Sequence, residues 1–447
     1  MSKSDVAFTG NAKTSGTIQC VTSIGPEPSA DNLPPLNTPG YAGGTATVVA
    51  ERDDIESGGA KPEKRKRRKL RKRFPKTFRV IMAILAVILV VILWAGFSFF
   101  QAVRNSEGEP LEVVAATWAR DHNLGPVVAV AEDLYYKYIN TTPEGGDPTE
   151  SFTIDDNGTV TKGKNAPTVE HLTPPATLVS PAGTPKPGEG VWQPTKATVQ
   201  GEPAVYIARV RPDSVHTSVL VSLMWVDTKL AKFALVPGYE EPGGPSPTDG
   251  AMPKALQATA LASWNGGFRL QDANGGFYND GKTISPLQNG RASAVFFKDG
   301  SLKIGKWGSG DLVMGPQVQT VRQNLDLIVD NGKAQTYSTD SGSRWGATTD
   351  GASLAWRSAV GQRKDGSIVY VGSPGLSADA LADAMVNAGV QRAMTLDMNN
   401  WWVAGFYYQQ TPNGLKCSKL DPAIQEGCDR FLNRYKRDSF AAYGKTP

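Results

Sequence analysis

The sequence predicts a mixed α/β fold, a hairpin-rich sheet with packed helices, displayed as an extracellular domain on a single transmembrane helix. Three observations predict it. Residues 80–103 form an uncharged apolar run, two-residue turn signatures recur between β-branched stretches, and one amphipathic helix carries its own start and stop signals.

The span comes first. Val80 to Val103 reads VIMAILAVILVVILWAGFSFFQAV, and at 1.5 Å per residue it reaches roughly 36 Å, enough to cross a hydrocarbon core of about 30 Å. Immediately upstream, residues 61–79 hold 12 Lys/Arg and a single acid, Glu63, whereas Arg104, Glu107 and Glu109 follow the run. Basic flanks stay on the cytoplasmic side, so the run acts as a signal-anchor with the N-terminus inside and residues 104–447 outside. A cleaved signal peptide is disfavoured by the length of chain before the run and by the run's own length.

Charge follows the same division. Residues 1–103 carry 15 Lys+Arg against 8 Asp+Glu, leaving 32 against 35 in the remainder. Because the positive excess sits beside the membrane, a nucleic-acid partner is excluded for the body of the chain. An apolar fraction of 40% excludes a wholly disordered protein. Three scattered His argue against a zinc site, and no acidic spacing specifies Ca²⁺, so no metal and no cofactor is expected. Cys20 is cytoplasmic, whereas Cys417 and Cys428 lie in an oxidising compartment. A disulfide between them would stabilise by about 2–3 kcal/mol, the alternative being two buried thiols.

Along the chain, residues 1–60 read as a disordered cytoplasmic tail and 61–79 as a basic juxtamembrane segment. Residues 104–140 read as two membrane-proximal helices broken at Gly125-Pro126, either a stalk or a pair packed on the domain. Residues 141–203 are a Pro/Gly-rich linker that lies partly against the domain, 204–410 the folded domain, and 411–447 a C-terminal extension holding the disulfide. Within the domain, Ala204–Val210 and Thr217–Val226 are strand-like. Asp299-Gly300, Asn331-Gly332 and Asp365-Gly366 each sit between strand-like runs and predict hairpins. Ser377 caps a helix in which Leu381, Ala384, Met385 and Ala388 share one face, and Gly389 ends it. Arg392–Leu396 then returns as a buried strand, closing a β-α-β unit with Asp397 at its end, where such units gather ligand groups.

The residues able to do chemistry are few. Asn265-Gly266-Gly267-Phe268 permits a close backbone approach, and Asn offers both a donor and an acceptor; a tight turn is its plain alternative. Arg357, at the start of a strand, is either a structural cation or a bidentate clamp for phosphate. Asp397 is a loop cap or a catalytic carboxylate. After it, Asn399 and Asn400 could donate to a ligand, and Trp401 or Trp402 could offer a stacking face.

The order Asn265-Gly-Gly-Phe268, Arg357-Ser-Ala-Val-Gly361, Asp365-Gly366, a Leu/Ala helix, then Leu396-Asp397 resembles the phosphodiester glycosidase domain, over about residues 258–408. The resemblance implies cleavage of a sugar C1–O–phosphate linkage at a site lined by Asn265, Gly266, Gly267, Arg357 and Asp397. Where that family has glycines and a Ser after this Asp, Met398-Asn399-Asn400-Trp401 stand here. Ordinary glycosidases need a second carboxyl to protonate an alcohol leaving group. Phosphate leaves more readily, so one carboxylate with a cationic clamp could suffice. The expected function is therefore a cell-envelope hydrolase of phosphodiester-linked carbohydrate. Asp397 would stabilise the sugar cation or activate water, Arg357 would hold the phosphate, and the Asn265 loop would donate hydrogen bonds. The alternative is an inactive glycan-binding or scaffold protein of the envelope.

Overall fold

The computed structural model describes residues 75–154, 169–310, 312–336, 342–346 and 354–445. The expectations for residues 1–74, Cys20 included, and for 155–168 of the linker lie outside them.

Three helices open the described chain: α1 (Lys76–Arg104), α2 (Leu111–Asp121) and α3 (Gly125–Tyr138). Then come strands β1 (Val205–Val210), β2 (Val221–Val226), β3 (Ala231–Val236), β4 (Ala260–Asn265), β5 (Ala292–Phe297), β6 (Leu302–Lys306), β7 (Val318–Gln323) and β8 (Leu327–Asp330). They are followed by β9 (Ala355–Arg363), β10 (Ile368–Leu376), helix α4 (Ala378–Asn387), β11 (Val390–Met398), β12 (Gly405–Thr411), β13 (Gly414–Lys419) and β14 (Ser439–Gly444). Among the described residues α1 alone is long and apolar enough to cross a membrane, and it buries none of its side chains.

The strands make three main sheets. The first runs from Gln193–Pro194 through β1, β2, β10, β9, β11 and β8 to Lys333–Ala334. The second holds β6, β5, β7 and two short strands, Phe277–Asn279 and Lys282–Ser285. In the third the order is β13, β12, β4, β14, β3. The pairings inside them are antiparallel, as the hairpin signatures require. Gly300, Asn331, Gly332 and Gly366 all take the positive φ that two-residue hairpin turns need. β10 and β11 both pair antiparallel with β9, so they run parallel to each other, and α4 bridges them in a split β-α-β unit. The Ser377 hydroxyl accepts the Ala380 N–H at 3.1 Å and caps that helix.

Period-two alternation separates the two cores. Val369 and Val371 of β10 pack with Leu381 and Met385 of α4, whereas Ile368 and Tyr370 point the other way, into the space between sheets. There Trp264 stacks on Tyr370 and on Phe440, each with ring centroids 5.6 Å apart.

The C-terminal stretch belongs to the folded body where the sequence alone put it outside, and part of the linker is packed in that body too. β14, in the presumed C-terminal extension, lies between β3 and β4. Its partners are some 170 or more residues upstream, and no local pattern announces so distant a pairing. Likewise Ala197 and Val199 of the presumed linker are buried in the inter-sheet core, and Gln193–Pro194 pairs with β1. The Cys417–Cys428 disulfide is formed, tying β13 to the loop after it.

The helices α2 and α3 pack on the domain rather than standing off as a stalk. Glu107 pairs with Arg434, Glu109 with Lys436, and Asp121 with Arg269 at 2.6 Å.

Candidate active site

Asp397 sits near the end of β11, at the junction of the first and third sheets, and a chain of hydrogen bonds fixes its backbone there. β4 delivers Asn265 to this junction. The Asn265 Oδ1 accepts the Tyr370 hydroxyl (2.7 Å) and the Ala404 N–H (3.2 Å), while its Nδ2 donates to Ser358 Oγ and to the Gly266 carbonyl, each at 3.0 Å. Ser358 Oγ then donates to the Asp397 carbonyl at 2.6 Å, and the Asp397 N–H donates to the Gly266 carbonyl at 3.0 Å. Three distant stretches of sequence thus meet around one carboxylate.

The side chain of Asp397 faces a cavity of about 390 Å³. Its Oδ2 accepts a hydrogen bond from Arg437 Nη2, and its Oδ1 accepts the Met398 N–H at 2.9 Å. Burial pushes the Asp397 carboxyl above the usual aspartate value, against the pull of Arg437 and the Met398 N–H. On the same cavity lies Glu132 of α3, paired with Arg120 of α2 at 2.6 Å. Burial raises its carboxyl as well, opposed by Arg120, with the Asp397 charge a smaller contribution in the same upward direction. Tyr136, one turn further along α3, also lines the cavity, and burial pushes its phenol up to about 12.

Cations complete the lining. Arg269 pairs with Asp121 and Glu241, and Arg437 lies over the face of Trp402 with its guanidinium carbon 4.7 Å from the ring centroid. Arg269 Nη1 and Arg437 Nε are buried with no hydrogen-bond partner among the described residues. Buried donors ordinarily find partners, so two orphaned guanidinium N–H groups suit an anionic ligand. Among the described residues no cluster of three His, Cys, Asp or Glu is placed to hold a metal ion.

Of the sequence candidates, Asp397, Asn399 and Trp402 line this cavity. Asn399, at φ 80°, uses its Oδ1 to accept the Trp401 and Trp402 N–H groups at 2.9 and 3.1 Å, and so shapes the turn after β11. Asn400 is half-buried in that turn. Trp401 is engaged by Arg430, 5.3 Å from its ring, and the indole on the cavity wall is its neighbour Trp402.

Arg357 and Asn265 are both held by protein groups. Arg357 does not present an open fork to phosphate: it is buried, its Nε donating to the Leu376 carbonyl (2.8 Å) and its Nη1 to the Trp345 carbonyl (3.3 Å). Asn265 is equally committed, with both side-chain atoms bonded to protein groups, one of them Ser358, which in turn donates to the Asp397 carbonyl. The glycines follow suit. A Cβ on Gly266 would fall 2.3 Å from Asp438 Cγ, and one on Gly267 would fall 3.2 Å from Asn324 Cγ. Their bareness admits the protein's own side chains.

Residues 258–397 match the phosphodiester glycosidase family. Similar solved structures include the catalytic domain of zebrafish N-acetylglucosamine-1-phosphodiester alpha-N-acetylglucosaminidase auto-inhibited by its pro-peptide. It is 16% identical, with 67% of this chain and 96% of that one covered and a TM-score of 0.36. A hypothetical protein from Synechocystis is 11% identical over 62% of this chain and 68% of its own, with a TM-score of 0.31. No curated protein matches the chain. The segment that matches this family carries Asn265, Arg269 and Asp397, whereas Arg120, Glu132 and Arg437 line the cavity from outside it.

Those last three are the residues the sequence did not disclose. Arg120 and Glu132 belong to helices whose alternation of apolar and polar positions suits a stalk equally well. Arg437 stands in the supposed extension. The one available signal was Arg437-Asp438 directly before the apolar run Phe440–Tyr443, a charged pair at the mouth of a strand.

Proposed function

We propose that this chain hydrolyses sugar phosphodiesters at the cavity of Asp397, as a single-pass envelope protein with its N-terminus inside and its catalytic domain outside. One observation carries the proposal: a buried carboxylate bonded to Arg437 shares a cavity with a second carboxyl, Glu132, and with the orphaned guanidinium donors of Arg269 and Arg437. The family match points to the same chemistry, and the similar zebrafish enzyme is by its name a phosphodiester glycosidase. The long apolar α1 and the basic run before it support the topology.

The two carboxyls take different roles. Hydrogen bonds donated to a carboxyl favour its ionised form. Asp397 has two donors and Glu132 one. Asp397 is therefore the carboxylate that accepts the proton of the attacking water as its oxygen bonds to the sugar C1. The C1–O bond breaks and its electron pair leaves with the phosphate. Glu132 gives its proton to that phosphate oxygen, and the proton on Asp397 returns to Glu132 through solvent. Arg269 and Arg437 bind the phosphate. The products are a free sugar and a phosphate monoester.

A second reading, binding of envelope glycan without turnover, is favoured by the engagement of both Asp397 oxygens with protein donors. Incubating the full chain in detergent with N-acetylglucosamine 1-phosphate esterified to methanol separates the two. Release of sugar with equimolar methyl phosphate supports the hydrolase, and saturable binding with no product supports the second reading.

A further inference from the structure

The cavity is lined in part by α2, the helix that packs against α1. α2 runs antiparallel to the outer end of α1: Phe99 meets Trp118 with ring centroids 5.6 Å apart, and Trp118 Nε1 donates to Ser98 Oγ at 3.0 Å. His122, one turn on, reaches Trp94 with centroids 5.3 Å apart. As the residue number climbs on α2 it falls on α1, so α2 descends along the span. Its end stands beside Trp94, roughly 7 Å below Phe99 along the helix axis. Counted from Val80, a hydrocarbon core of about 30 Å ends near Phe99, so Trp118 lies at the boundary between lipid tails and headgroups. Thr117 and Arg120, flanking Trp118 on α2, line the catalytic cavity.

α3 is amphipathic with its apolar face outward. Pro126, Ala129, Glu132 and Tyr136 line the cavity, while Val127, Val130, Leu134 and Tyr138 form the opposite stripe and are each half or more exposed. Leu124, in the turn that stands beside the span, is exposed as well. A contiguous apolar face left exposed on a helix joined to the apolar α1 through α2 suits lipid as the medium that covers it.

We infer that the substrate is a membrane lipid: a sugar joined at C1 through a phosphodiester to a long-chain lipid alcohol, taken laterally from the leaflet on the domain's side. The alkyl chain stays in the bilayer, the phosphate sits among Arg120, Arg269 and Arg437, and the sugar enters toward Asp397, while the exposed stripe of α3, on the face away from the cavity, seats the domain on the leaflet. Hydrolysis breaks the C1–O bond by addition of water, frees the sugar, and leaves a lipid phosphate monoester in the membrane. This deepens the hydrolase reading and rests on it.

The test uses the full chain in vesicles of phosphatidylethanolamine and phosphatidylglycerol. Its probes are N-acetylglucosamine 1-phosphate esterified to a long polyprenol or to methanol. The inference predicts at least a tenfold higher kcat/KM for the polyprenol ester. It also predicts that the double variant Val130→Lys, Leu134→Lys loses that preference while keeping the parent rate on the methyl ester. Equal rates on both probes in the parent, or a preference unaffected by the double variant, would overturn the lipid assignment and leave the hydrolase standing. Failure to cleave either probe would overturn both.

Discussion

Glu132 on α3 and Asp397 at the end of β11 line one cavity, although one belongs to the membrane-proximal helices and the other to the central sheet. The site is therefore completed by a part of the chain outside the family-matched segment. If Glu132 donates the proton that the leaving phosphate accepts, Glu132→Gln lowers kcat by about 100-fold, the low end of general acid catalysis. Its ion pair with Arg120 is partly exposed and contributes at most about 1 kcal/mol, so the melting temperature should barely move. A large thermal shift with unchanged kcat would make Glu132 a structural residue.

Arg437 governs the acid limb of the pH profile. Asp397 acts ionised, and burial raises its value, so kcat/KM falls with decreasing pH through a point above the ordinary aspartate value of about 3.9. Arg437 opposes that rise. Arg437→Gln removes the neighbouring positive charge and moves the acid limb upward by about 1–3 pH units. The stability effect has a matching sign. A raised carboxyl keeps its proton in the folded state where the unfolded chain has lost it, so stability declines as pH rises from the unfolded to the folded value, and the variant widens that window. Kinetic profiles of the two proteins measure the shift, and a limb that does not move would detach Asp397 from the titration.

Arg322 and Asp438 form a fully buried pair at 2.9 Å, and Asp438 is the residue packed against Gly266. Removing the cation alone leaves an uncompensated charge in the core. Arg322→Met should cost about 3–5 kcal/mol in denaturant melts. The double variant Arg322→Met, Asp438→Leu should recover a good part of that loss, and equal destabilisation in both would mean that packing, not charge, dominates at this position.

Local chemistry in the sequence marks the hairpins, α4 with its cap, and the strand that ends at Asp397, because turn glycines, an N-cap serine and apolar periodicity are short-range signals. Asn265, Arg357 and Asp397 do converge, but Asn265 is bonded to Ser358 and Arg357 to the Leu376 and Trp345 carbonyls. No residue pattern distinguishes an amide that serves Ser358 from one that serves a substrate. The pairing of β14, and the choice between a stalk and a docked helix pair, stayed open for another reason. The partners are far away in sequence, and the Glu107, Glu109 and Asp121 ion pairs that seat α2 depend on the assembled surface.

The most direct measurement is the rate of sugar release from a glycosyl phosphodiester by the parent protein and by Asp397→Asn, each shown to be folded by its melting curve. The account predicts a loss of about 1,000-fold or more, since the substitution removes the base while keeping the shape. Release by Asp397→Asn at the parent rate would contradict it.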